Sequence, residues 1–181
     1  MPNHAELFWR CIDSITKQSF KDYEIIIVQE GKMAENTNAG IRRAKGELIK
    51  FLFMDDFFSS EWALEDVVMH FEKEDNWMIS GCNTNPKPYW TDDIETGNNH
   101  LGSPSCLTVR RKGCVEFDES MSWLLDVDYY KRMKMLYGEP KILDAKNVTI
   151  GVHDGQMTNL MTDEEKLAEH KYMKSKWQLI S

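Results

Sequence analysis

The sequence predicts an α/β domain built on a mostly parallel sheet with helices on both faces. Three observations carry that expectation. Helical and strand-like hydrophobic periods alternate through residues 4–80. The apolar run at residues 23–28 is nearly continuous, as in a strand covered on both faces. A length of 181 residues with no evident linker amounts to one domain, large enough to bury roughly 70% of the surface its unfolded chain exposes.

Over residues 4–18, Leu7, Phe8, Cys11, Ile12 and Ile15 recur at helical spacing, with Asn3 placed as N-cap. Residues 23–28 follow as a β-branched strand, punctuated by Gly31. A short helix spans residues 33–45 and ends at Gly46, a natural C-cap. Residues 47–53 form a second strand that runs directly into Asp55 and Asp56. Ser59 or Ser60 caps a third helix bearing Trp62, Val67 and Phe71, and residues 76–80 form a third strand. The second half is less regular. Residues 83–104, rich in Asn, Pro, Gly, Thr and Asp, read as a long loop of the kind that often carries function. A strand at 105–110, a helix at 122–136, two short strands near 140–143 and 147–152, and a charged helix at 162–177 complete the chain.

Twenty-two basic and 30 acidic residues leave a net charge of −8, which disfavours nucleic acid and anionic membrane as partners. No apolar run approaches the ~20 residues of a membrane span, and the opening stretch lacks the layout of a signal peptide. Cys11, Cys82, Cys106 and Cys114 are scattered without a CxxC spacing, so reduced thiols and a cytoplasmic setting are expected.

The chemistry concentrates at Phe51-Leu52-Phe53-Met54-Asp55-Asp56. Two adjacent carboxylates repel unless water or a cation separates their charge. The carboxyl ends of strands in an open α/β sheet are where ligands bind, and Mg²⁺ or Mn²⁺ favours oxygen ligands. The plain alternative is that the pair opens a loop or caps a helix.

The order of motifs from Leu7 to Asp56 resembles the N-terminal half of family 2 glycosyltransferases, which have the GT-A fold. Cys11-Ile12-Asp13-Ser14-Ile15 with Gln18 is similar to the family's first helix, and residues 23–28 to its second strand. Asn38-Ala39-Gly40-Ile41, continuing through Ala44 to Gly46-Glu47, is the most specific piece. Residues 51–56 fall on the strand and DXD-type motif. More weakly, Phe117-Asp118-Glu119, then Asp126, Asp128 and Arg132, resemble the family's acidic-pair motif. The resemblance implies that Asp55 and Asp56 hold Mn²⁺ or Mg²⁺ against the diphosphate, and that His153 completes the metal shell. Glu30, Asn38 and Asp55 would bind the nucleotide-sugar, and Asp126 would act as general base on the acceptor hydroxyl. For His153 an ordinary loop histidine, and for Asp126 a solvated helix carboxylate, are the plain alternatives. Tyr89 and Trp90 would stack on a sugar face or anchor their loop.

Departures from the family pattern are several. Gln29-Glu30-Gly31-Lys32 stands where Asp-Asp-Gly-Ser is usual, Phe53 replaces the first aspartate of the metal motif, Thr37 an arginine, and Leu125 a glutamate. The family's opening central strand would finish about where this chain begins, and its third strand has no room, so a trimmed GT-A core is expected. An edge left by the missing strand would favour pairing of copies.

The resemblance implies a metal-dependent, inverting transferase moving a sugar from a nucleotide-diphosphate sugar, most simply a UDP-sugar, to an acceptor hydroxyl. Residues 1–82 would form the nucleotide-sugar half and residues 83–181 the acceptor half of a single domain. The alternatives are a catalytically impaired binding or assembly module and a nucleotidyltransferase on a similar sheet.

Overall fold

The computed structural model describes residues 4–96 and 98–178, so the predicted Asn3 cap lies outside the described residues. Helix α1 (His4–Thr16) leads to α2 (Met33–Arg43), β1 (Leu48–Lys50), a two-residue β2 (Phe57–Phe58), α3 (Ala63–His70) and β3 (Trp77–Cys82). The second half contributes β4 (Leu107–Arg110), α4 (Leu125–Tyr137), β5 (Lys141–Thr149), a short α5 (Met157–Leu160) and α6 (Asp163–Gln178). Among the described residues no helix is long and apolar enough to cross a membrane.

The expected mostly parallel GT-A sheet is corrected by the pairing. The five strands lie in the order β1-β4-β3-β5-β2. β1–β4, β3–β4 and β2–β5 are antiparallel, and only β3–β5 is parallel. The physical reason lies in the connection between β3 and β4. Residues 83–106 carry two 3₁₀ turns (Asp92–Thr96 and Pro104–Cys106) and, among the described residues, no α-helical crossover, so the chain returns antiparallel. β4 then enters between β1 and β3. Those two strands, with β5, still share one direction, and their carboxyl ends open on one side of the sheet.

Residues 23–28 are not a strand. No backbone–backbone hydrogen bond joins residues 24–29 to a neighbour among the described residues. Their nearest anchor is the Glu24 carboxylate, which accepts from the Lys45 and Gly46 amides at 2.7 and 3.1 Å. Ile25 and Ile27 are 43% and 60% exposed, so β propensity here lacks the adjacent strand it requires. Gly46 does not cap α2 either, because the chain leaves the helix at Ala44 in an extended conformation. The two short strands expected after α4 are one, β5, with an irregularity opposite Ser80–Cys82. It permits a close crossing at Gly81, where a Cβ would fall 2.6 Å from the Pro86 carbonyl oxygen.

β3 is buried throughout and separates two apolar clusters. Trp77 and Ile79 face α4, where the Trp77 and Tyr130 rings stack at 5.8 Å. Met78 faces the other way, onto Val67 and Phe71 of α3 with Leu143 of β5. The alternation along β3 thus yields the expected helices on both faces.

Hydrogen exchange tests the unpaired segment. Amides 25–28 are expected to exchange nearly unprotected, while those of Met78–Ser80 open only with global unfolding. Equal protection of both would show that residues 23–28 are paired after all.

Candidate functional site

Register places the site. Phe57 pairs with Thr149, so the residues before Phe57 lie beside those after Thr149. The Gly151 amide donates to Asp56 Oδ1 at 2.9 Å, and His153 Nε2 lies 3.1 Å from Asp55 Oδ2. A Cβ at Gly151 would come 2.2 Å from the Asp55 carbonyl oxygen, so only glycine admits this approach. Arg10 of α1 closes the other side. Its Nη2 donates to the Asp55 carbonyl at 2.7 Å, and its guanidinium carbon sits 4.4 Å from the centroid of the Phe57 ring.

Asp55 and Asp56 diverge. Asp55 turns its carboxylate to His153 at a partly open surface. Asp56 is buried, and burial pushes its carboxyl up to about 6, with hydrogen bonds from Ser105 and Gly151 opposing and the Asp55 charge adding. Beneath it, Lys50 donates to the Ser105 carbonyl, and burial lowers its ammonium to about 8. The Cys82 thiol is drawn down to about 5, first by a hydrogen bond from Cys106, against burial. All four cysteines are free.

The imidazole has defined roles. Gly155 donates its amide to Nδ1 at 3.1 Å, so the neutral ring carries its proton on Nε2, facing Asp55. Carboxylate and imidazole suit Mn²⁺, and a Mg²⁺-like ion that holds a diphosphate needs only one or two protein ligands. Asp55 and His153 fit that role in the other tautomer, with the ring proton on Nδ1 and the Gly155 amide released from it. Among the described residues no group of three or more His, Cys, Asp or Glu is arranged around one point.

Asp126 stands on the first turn of α4, half-buried. It accepts from the Asn99 side-chain amide at 2.7 Å and from the Val127 amide at 2.8 Å. Burial raises its carboxyl to about 6, and the nearby Glu169 charge adds to this. Glu169, from α6, accepts the amides of Ser122, Trp123 and Leu124 at 2.7–2.9 Å, fixing the chain that leads into α4 and placing a negative charge at its N-terminus. Asp128, in the same first turn, is paired with Arg132 and Lys176, each at 2.8 Å.

Asn38 is buried. Its amide donates to the Phe117 carbonyl and Glu119, both at 2.9 Å, and its oxygen accepts the Phe117 amide at 2.6 Å. Glu30 is exposed and paired with Arg43. Trp90 packs edge-on to Trp77 under the Lys134 ammonium, anchoring its loop, and Tyr89 stacks on His100 at 4.9 Å. The structure therefore joins Asp55, Asp56 and His153, and sets Asp126, Asn38 and Glu30 in separate surroundings. Sequence reasoning missed Arg10, Asn99, Gly151 and Glu169. None sits in a local motif, and each reaches the site from a distant stretch of chain.

No family model matches the chain, and no curated protein matches it. Solved structures do. Residues 1–349 of S. aureus TarS superpose with a TM-score of 0.64 at 13% identity, over 83% of this chain and 58% of that one. A second TarS structure gives the same score and identity over 84% of this chain and 35% of its own. TarS 1–349 in complex with UDP-GlcNAc gives 0.62 at 12% identity, over 92% and 61%. This chain thus spans less than two thirds of the proteins it matches, and at such identity the likeness shows the fold. The resemblance to family 2 glycosyltransferases is corrected by these findings. No family model supports it, and a mixed sheet stands where a mostly parallel GT-A sheet was expected.

The raised carboxyl of Asp56 has a stability consequence. Its folded value near 6 exceeds the ordinary 3.8, so the folded chain holds the extra proton between about pH 4 and 6. The associated stability is fully present below about pH 4 and is lost as pH rises through 6; the gap corresponds to about 3 kcal/mol. Asp56→Asn is expected to gain on the parent by up to that amount between pH 4 and 7 in urea denaturation. A difference independent of pH would contradict the assigned burial.

Proposed function

We propose that this chain is the nucleotide-sugar-handling part of a transferase, moving a sugar from a UDP-sugar to an acceptor hydroxyl. One observation carries the proposal. The Asp55–His153 pair sits at the common carboxyl end of β1 and β5, in a fold shared with TarS structures that hold UDP and UDP-GlcNAc. Asp55 and His153 are the residues that would hold Mn²⁺ or Mg²⁺. When bound, such an ion supplies positive charge to the diphosphate. Asp56 keeps Gly151 in place and adds negative charge beneath the pair. Glu30 and Asn38 belong to the nucleotide side, Glu30 as an exposed acceptor and Asn38 as the tie that fixes α2 against Phe117.

Asp126 is the proposed general base. It takes the proton of the acceptor hydroxyl while that oxygen bonds the anomeric carbon. The bond from that carbon to the diphosphate oxygen breaks with its electron pair, so the carbon is inverted. A carboxyl near 6 is ionised at neutral pH and a stronger base than an ordinary aspartate. Asn99 holds one oxygen and the Val127 amide the other, which fixes the orientation.

Hydrolysis of UDP-GlcNAc in the presence of Mn²⁺ is the test. Asp126→Asn is expected to slow it about 10²- to 10⁴-fold while leaving UDP binding intact. Asp55→Asn combined with His153→Ala should remove the Mn²⁺ dependence of UDP binding. Binding of UDP without turnover by the parent chain would favour a binding module, and full turnover by Asp126→Asn would end the proposed role of that residue.

A further inference from the structure

We infer that Arg10 is a diphosphate-binding residue: its guanidinium, fixed between the Phe57 ring and the Asp55 carbonyl, faces the place where the nucleotide's phosphates lie beside Asp55 and His153. The inference rests on the proposed nucleotide-sugar reading and adds a residue to it.

The geometry is specific. Arg10 lies on α1 next to Cys11, which with Leu7 is buried and seats the helix, and is itself exposed. One N–H is committed to the Asp55 carbonyl at 2.7 Å. The flat face is committed to Phe57 at 4.4 Å. A Cβ built at Gly151 would be 3.2 Å from Nη2, so the guanidinium borders the Gly151 turn as well. Its remaining N–H groups meet no carboxylate among the described residues, although the chain is strongly acidic and the arginines at 42, 43, 110 and 132 are each paired with one; Arg111 donates instead to the Gly46 carbonyl.

An arginine held on two sides loses little further rotamer freedom on binding an anion, and its fork matches phosphate oxygens. It also answers an electrostatic need. Asp55 and Asp56 together repel a diphosphate, and His153 and Asp55 provide only two ligands for a cation. A fixed positive charge on the far side of Asp55 reduces that repulsion. During transfer the carbon–oxygen bond breaks towards the diphosphate, which gains one negative charge. Arg10 stays protonated and stabilises that charge without transferring a proton.

Titration calorimetry with uridine, UDP and inorganic pyrophosphate, each with Mn²⁺, separates the outcomes. Arg10→Gln is expected to weaken UDP and pyrophosphate about 10- to 100-fold and to leave uridine unchanged. Arg10→Lys should recover part of the loss, and the salt dependence of UDP binding should fall in the glutamine variant. Equal weakening of uridine and UDP, or none for either anion, would overturn the role of Arg10. Failure of the parent to bind UDP, with pyrophosphate still bound through Arg10, would instead remove the nucleotide-sugar reading and leave an anion site.

Discussion

The candidate site depends on the pairing of Phe57 with Thr149 and of Phe58 with Val148. Two residues make a poor strand on their own, and this one persists because both ends are secured. Ser14 of α1 accepts the Phe58 amide at 3.1 Å, and the Ser59 hydroxyl meets Thr149 at 2.9 Å. Phe58 is buried in the main core, while Phe57 offers its ring to Arg10. The chain leaving β1 must therefore cross the carboxyl end of the sheet to reach β5. The crossing segment is residues 51–56, so the adjacent carboxylates are drawn across the open side instead of continuing β1. Gly151 then allows the contact that sets His153 opposite Asp55.

Much of this was legible in the sequence, and the divisions follow physical cause. Helices α1 and α4 announce themselves by the spacing of their apolar residues, while α2 and α6 are legible only as helix-compatible stretches bounded by turn residues. β3 is legible as a run of apolar residues. Strand direction is not, since neither period nor composition encodes the path of a loop; residues 83–106 return β4 antiparallel through turns that leave no periodic trace. Residues 23–28 failed for the opposite reason. Ile25, Ile26, Ile27 and Val28 have strong β propensity, but a strand is a relation between two segments, and no neighbour pairs with this one among the described residues. Asp55, Asp56 and His153 were visible as residue types following strands. That Asp56 would turn inward while Asp55 faced the imidazole depended on Gly151, nearly a hundred residues away.

The acceptor side shows the same long-range dependence. The first turn of α4 has no side-chain cap of its own, and Leu124 stands at the capping position. Glu169 of α6 holds the three amides just before the helix, and Lys176 of the same helix reaches Asp118 and Asp128 at 2.6 and 2.8 Å. The charged C-terminal helix is thus bound to α4 and the chain leading into it by ionic and backbone contacts. Its Met173 is buried in the main core as well. Loss of α6 would release the amides of Ser122, Trp123 and Leu124 just before α4 and leave Asp128 with a single cationic partner.

Those contacts also separate two aspartates that sequence alone treats as equals. Asp126 and Asp128 both stand in the first turn of α4 and both fall on one acidic motif. Asp128 is fully buried between Arg132 and Lys176, each 2.8 Å from one of its carboxylate oxygens, and the two cations stand in the way of a substrate. Asp126 has only neutral donors, Asn99 and a backbone amide, and no cation pairs with it among the described residues. Glu169 lies near enough to raise its proton affinity. A group that must accept a proton needs affinity for it and an accessible lone pair, whereas a group that must hold two helices together needs a permanent charge. The neighbours given to each residue therefore assign the structural role to Asp128 and leave the chemistry to Asp126.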